Sequence, residues 1–112
     1  MEGWTIHYYG DKVSRAILGL PAGLLARYIH LTDMMRAMGP NLGLPHTRAM
    51  GDRLFELRLK GKEGIARVFF CARIGRRIVM LHVFVKKSEK TPLKELETAR
   101  ERLREVIEHE PR

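Results

Sequence analysis

The sequence predicts one α+β domain over residues 1–112, in the order β-α-α-β-β-β-α. A mostly antiparallel sheet is expected to pack against a helical hairpin and a C-terminal helix. Three observations lead there. Apolar residues recur every three to four positions in the first third of the chain, every two in the middle, and every three to four again at the end. Gly or Pro punctuates the changes of period. The 112 residues, 45% apolar and 30% charged, suit a single modest core rather than a disordered tail.

Trp4–Tyr9 alternates bulky β-formers and reads as a first strand. Asp11 is placed to cap a helix whose stripe is Val13, Ala16, Ile17 and Leu20, ended by Pro21. A second helix carries Leu24, Tyr28, Leu31, Met35 and Met38 on one stripe and stops at Gly39-Pro40. Residues 39–52, rich in Gly, Pro and Asn, read as a loop. Three strands follow over Leu54–Lys60, Ile65–Arg73 and Arg77–Lys86. Thr91-Pro92 then opens a helix as N-cap and first helical residue, with Leu96, Ala99, Leu103 and Val106 along its apolar side.

The chain has no apolar run of roughly 18 residues that would span a bilayer, and no N-terminal basic segment leads into an apolar stretch. One cysteine, Cys71, excludes an internal disulfide and a Cys-rich zinc site. No metal or other cofactor is expected, since the histidines lack ligand spacing and no Gly-rich phosphate loop links a strand to a helix. A cytoplasmic location fits. Lys and Arg number 21 against 13 Asp and Glu, for a net charge of +8. Residues 46–90 hold 12 basic and 4 acidic residues, a balance of +8, while residues 1–45 (4 against 3) and 91–112 (5 against 6) cancel. A charge so localised attracts polyanions.

Strand register turns this segment into a surface. A hairpin closing through Lys62-Glu63 pairs Phe55 with Phe70, Leu57 with Val68 and Leu59 with Ala66, all apolar. The same register sets Arg58 opposite Arg67. A two-residue turn at Gly75-Arg76 pairs Phe70 with Leu81, Val68 with Val83 and Phe69 with His82. Val79, Leu81, Val83 and Val85 then share one face. The other face, expected to be exposed, carries Glu56, Arg58, Lys60, Arg67, Phe69, His82, Phe84 and Lys86. Cations interleaved with rings hold phosphates and stack unpaired bases. Because Arg67 points away from the apolar side, its removal is expected to leave the fold intact.

The runs Leu54-Phe55-Glu56-Leu57-Arg58, Ala66-Arg67-Val68-Phe69-Phe70 and Leu81-His82-Val83-Phe84-Val85-Lys86-Lys87, leading into Lys90-Thr91-Pro92, resemble the phage-derived, HigB-like branch of the RelE/ParE toxin superfamily. The resemblance covers nearly the whole chain. It implies a RelE-like fold and the toxin of a type II toxin–antitoxin pair. In that family such a toxin is often a ribosome-dependent endoribonuclease that cuts mRNA without a metal. It further implies a cognate antitoxin, commonly with a helix-turn-helix DNA-binding domain, with mRNA and ribosome as targets. A homodimer or a toxin–antitoxin hetero-oligomer fits the same picture. By position, Arg58, Arg67, Lys86 and Lys87 match the family's basic RNA face. No tyrosine follows the last strand, where some relatives place a catalytic one.

For such chemistry Arg67 and Arg58 are the candidate charge clamp. His82 is the first candidate for proton transfer, as an imidazole, and Glu56 is the second, unless it holds Arg58 in place. Lys60, Phe69, Phe84, Lys86, Lys87 and Lys90 are the candidate RNA-binding residues. Two other functions stay open: inhibition of DNA gyrase by protein binding, as in ParE-like relatives, and a non-catalytic RNA-binding module.

Overall fold

Among the described residues, the changes of period are realised as three helices and five strands, one strand more than the sequence pattern indicates. The computed structural model describes residues 3–86 and 90–109. In chain order the elements are β1 (Thr5–Tyr8), α1 (Asp11–Leu18), α2 (Ala22–Met38), β2 (Thr47–Gly51), β3 (Leu54–Gly61), β4 (Gly64–Arg73), β5 (Arg77–Lys86) and α3 (Leu93–Glu108). They form one sheet in the order β1-β5-β4-β3-β2. β1 runs parallel to β5, and every other neighbour is antiparallel. The α+β class therefore holds, with β2 added inside the expected loop.

The sheet is covered on both sides. On one, Val13 and Ile17 of α1 and Leu24, Leu31 and Met35 of α2 pack on Leu57, Leu59, Ala66, Val68, Phe70, Ile78 and Met80. On the other, Ala99 and Leu103 of α3 pack on Leu54, Phe69, Cys71, Val79 and Leu81, with Leu96 and Phe84 at the margin. β4 is buried on both faces, as its central place requires. Full burial of a side chain such as Phe70 contributes about 1.5–3 kcal/mol.

Several local readings are corrected. Asp11 is the first helical residue of α1, not its cap. Gly10 takes the cap position, its carbonyl accepting from Val13 and Ser14, and Asp11 instead favours the positive helix end. Met38, the last residue of α2, is exposed rather than part of the apolar stripe, because the helix runs past the core there. Thr91 does not cap α3, whose cap position is Pro92. Its hydroxyl is used on Glu56 instead.

The β3–β4 register is as expected, from Phe55 opposite Phe70 to Gly61 opposite Gly64. The next hairpin departs from expectation. Its turn contains Ile74, Gly75 and Arg76, the last two with positive φ (82° and 55°), so Arg73 pairs with Arg77. A bulge then restores the expected register, with Val68 opposite Val83 and Phe69 opposite His82, but Phe70 pairs with Met80 and not with Leu81. The extra residue splits the face assigned to Val79, Leu81, Val83 and Val85. Val79 and Leu81 pack toward α3, whereas Val83 packs with Met80 on the hairpin side.

Candidate nucleic-acid interface

The local order of β3 places Glu56 and Arg58 two residues apart on one face, and the β3–β4 ladder sets Arg58 directly opposite Arg67. Glu56 is 1% exposed and Arg67 4%. One carboxylate oxygen of Glu56, Oε1, lies 3.2 Å from Arg58 Nη1 and 3.6 Å from Arg67 Nε. The other, Oε2, accepts from the Thr91 hydroxyl at 3.3 Å. Arg67 also donates through Nη1 to its neighbour's carbonyl, Ala66 O, at 3.1 Å. Glu56 is thus the hub that gathers β3, β4 and the approach to α3.

Two depressions flank this hub and share Arg58. The first, about 360 Å³, is lined by Arg27, Pro45, His46, Arg58, Lys60, Ile65 and Arg67. The second, about 400 Å³, is lined by Arg48, Met50, Glu56, Arg58, Lys86, Lys90 and Thr91. Seven Lys or Arg side chains therefore border the pair of depressions, against one carboxylate. Among the described residues, the side chains of Arg27, His46, Arg48 and Lys60 have no hydrogen-bonding or ion-pair partner. Their donors are open to a ligand.

Loop and edge contacts hold the rims. Thr47, 1% exposed, donates from its hydroxyl to Asn41 Oδ1 and accepts from the Gly43 amide at 2.8 Å. The His46 carbonyl accepts from the Arg58 amide at 2.8 Å, which seats the imidazole beside the two guanidiniums' depression. On the other rim, Arg100 of α3 donates to the carbonyl of Met50 at 2.9 Å and pins β2, which carries Arg48.

The expected exposed face is only half realised. α3 covers its other half, so Phe69 is fully buried and stacks on Phe84 with ring centroids 5.7 Å apart. A base has no access to Phe69, and Phe84 is only half-buried beside it. His82 stands opposite Phe69 as expected, but its surroundings belong to α3. Its Nε2 is 3.0 Å from Glu95 Oε1 and its Nδ1 3.4 Å from Arg102 Nη1. It lines a separate depression with Lys12, Val13, Ala16, Val83 and Arg102. Arg102 also donates to the carbonyl of Leu81, the bulge residue, at 2.8 Å. His82 and Arg102 together dock α3 at the bulge.

Of the expected site residues, Glu56, Arg58, Lys60, Arg67, Lys86 and Lys90 are brought together, while Phe69, Phe84 and His82 are drawn under α3. Lys87 lies outside the described residues. Arg27, His46 and Arg48 were not anticipated. For Arg48 a signal existed: Gly51-Asp52-Arg53 between two extended stretches marks a hairpin. Arg27 directly precedes Tyr28 of the α2 stripe, and nothing local distinguishes it or His46. Among the described residues, no group of three or more His, Cys, Asp or Glu is arranged to hold a metal ion, and no helix is long and apolar enough to cross a membrane.

The architecture is a RelE-like α+β fold. It is similar to a chain in the crystal structure of the archaeal RelE–RelB complex from Pyrococcus horikoshii OT3, with a TM-score of 0.52 and 15% identity, covering 76% of this chain and 97% of that one. No curated protein matches the sequence. Residues 15–104 match the model of the phage-derived Gp49-like proteins (DUF891), and the chain belongs to that family.

Proposed function

We propose that this protein is the toxin of a type II toxin–antitoxin pair, a ribosome-dependent mRNA endoribonuclease that works without a metal cofactor. The observation that carries the reading is the Arg58–Arg67 pair, held face to face by a buried carboxylate and flanked by unpaired basic donors. Such a surface suits a phosphodiester and has no evident use in gripping an apolar protein target. The RelE-like fold and the Gp49-like family support the same reading.

In the proposed reaction the 2′-oxygen of a ribose attacks the adjacent phosphorus. The bond from phosphorus to the 5′-oxygen of the next nucleotide breaks, leaving a 2′,3′-cyclic phosphate and a 5′-hydroxyl. Arg58 and Arg67 stabilise the added charge on the phosphorane, usually the largest single catalytic contribution. Glu56 keeps the two cations aimed, and its carboxylate is occupied by them rather than available as a base. His46, an imidazole in the same depression, takes the proton from the 2′-hydroxyl, and solvent water supplies the proton that the departing 5′-oxygen takes up. Arg48, Lys86 and Lys90 hold a flanking phosphate. The proposed partner is a cognate antitoxin with an acidic surface that screens these cations.

Mapping of mRNA ends after brief induction tests the reading. New 5′ ends inside translated reading frames are the expected result. Altered plasmid topology without new ends would replace it with gyrase inhibition, and RNA binding without either effect would leave a non-catalytic module. The antitoxin is tested by co-purification with the neighbouring gene product. An affinity that ignores salt would remove the electrostatic basis for it.

A further inference from the structure

We propose that the depression bordered by α2 and the end of the β3–β4 hairpin is a nucleobase pocket in which Arg27 selects guanine. The inference rests on the RNA-cleavage reading above and deepens it.

The pocket owes its form to a close approach of helix and hairpin. Glu63, in the β3–β4 turn, accepts from the Gly23 amide at 2.9 Å and so caps the first turn of α2. A Cβ on Gly23 would fall 2.3 Å from Glu63 Oε1, and one on Gly61 would fall 3.3 Å from Leu24 Cδ2. Helix and hairpin therefore meet through the Glu63 and Leu24 side chains, each seated on a glycine of the other element. Arg27 follows Gly23 by four residues, one turn along the same helix face. It reaches the depression from α2, the side of the sheet opposite to α3.

The lining fits one base. Pro45 and Ile65 supply apolar surface, and Arg58 marks where the attached phosphate sits. The volume, about 360 Å³, falls in the range of small-ligand pockets. Arg27 and Lys60 donate hydrogen bonds and accept none. The stretch of rim formed by these two side chains carries donors only and prefers an edge with two adjacent acceptors. Guanine offers O6 and N7, which a guanidinium meets with two parallel bonds. Adenine places an amino donor beside N7, and uracil separates its two carbonyls with an N–H. Cytosine has adjacent acceptors but a smaller ring to cover Pro45 and Ile65.

The test is single-turnover cleavage by the full chain on ribosomes whose exposed codon carries each base in turn at each position. One position is expected at which guanine is cut roughly tenfold faster than the other bases, the usual worth of a bidentate base contact. Arg27→Lys keeps the charge but not the fork. That variant, confirmed folded by circular dichroism, is expected to cut the four messages at similar rates, the ratio between bases and not the absolute rate being the readout. Equal cutting of all four bases, a preference for cytosine, or a guanine preference that survives Arg27→Lys would overturn the inference. If no message is cut at all, the nuclease reading fails and this inference with it.

Discussion

Arg58 and Arg67 face each other across the β3–β4 ladder, and the same oxygen of Glu56 lies within 3.2 Å of the first and 3.6 Å of the second. Two cations directly opposite on a sheet repel. Here the repulsion is offset by a carboxylate buried between them, leaving a trio of net charge +1 of which Arg58 alone is partly exposed. The arrangement stores two guanidiniums in a fixed orientation before any substrate arrives, which is what stabilisation of a developing phosphorane requires.

Glu56→Gln keeps the shape of the hub and removes its charge. The two guanidiniums then face each other without the carboxylate charge between them, and Thr91 loses a charged partner. We expect a loss of about 3 kcal/mol in urea unfolding, the scale for breaking a buried pair. If Glu56 were an exposed base instead, stability would hardly change and only the cleavage rate would fall.

Arg67 is buried against the hub, so Arg67→Ala is expected to destabilise the protein as well as disarm it, contrary to the sequence-based expectation of an intact fold. Arg67→Lys and Arg58→Ala are the cleaner probes, since Arg58 is partly exposed. Each is expected to slow single-turnover cleavage by roughly 10²–10³, measured beside thermal melting. A folded Arg58→Ala variant that cuts at the parent rate would remove the clamp from the mechanism.

The two histidines separate into different tasks. His46→Gln is expected to leave melting unchanged and slow cleavage by roughly 10²–10⁴, the contribution of one general acid–base group. His82→Gln loses the pair with Glu95 and is expected to cost at most about 1 kcal/mol, with the cleavage rate preserved. The reverse pattern would return proton transfer to His82.

Tyr28 makes the fold sensitive to alkali. Burial, and then the hydrogen bond to the Tyr8 hydroxyl at 2.9 Å, raise its pKa well above the ordinary tyrosine value of 10.0. The folded protein therefore holds this proton at a pH where the unfolded chain has released it. The stability contribution is complete below pH 10 and declines as pH rises above it toward the folded pKa. Tyr28→Phe is expected to be less stable at neutral pH, having lost the hydrogen bond, but to show a shallower decline above pH 10. Parallel slopes for the two proteins in urea titrations at pH 9 to 11 would refute this.

The sequence by itself determined the class of fold, the β3–β4 register and the pairing of Arg58 with Arg67. These follow from local periodicity and from a hairpin whose apolar partners match in only one alignment, so nearby residues suffice to specify them. Tertiary structure alone decided where α3 lies. Its apolar stripe was legible, but its target was not, because the face with Phe69 and Cys71 reads equally well as exposed until a helix covers it. That choice buries Phe69, turns His82 toward Glu95 and brings Thr91 onto Glu56. The bulge at Leu81 was equally hidden: one extra residue reverses the facing of a strand, and the carbonyl it releases is satisfied by Arg102, 21 positions away. Arg27 and His46 join the site for the same reason. They come from a helix and a loop that meet only when Glu63 seats Gly23 and the His46 carbonyl receives Arg58, contacts set by the packed chain and by no local pattern.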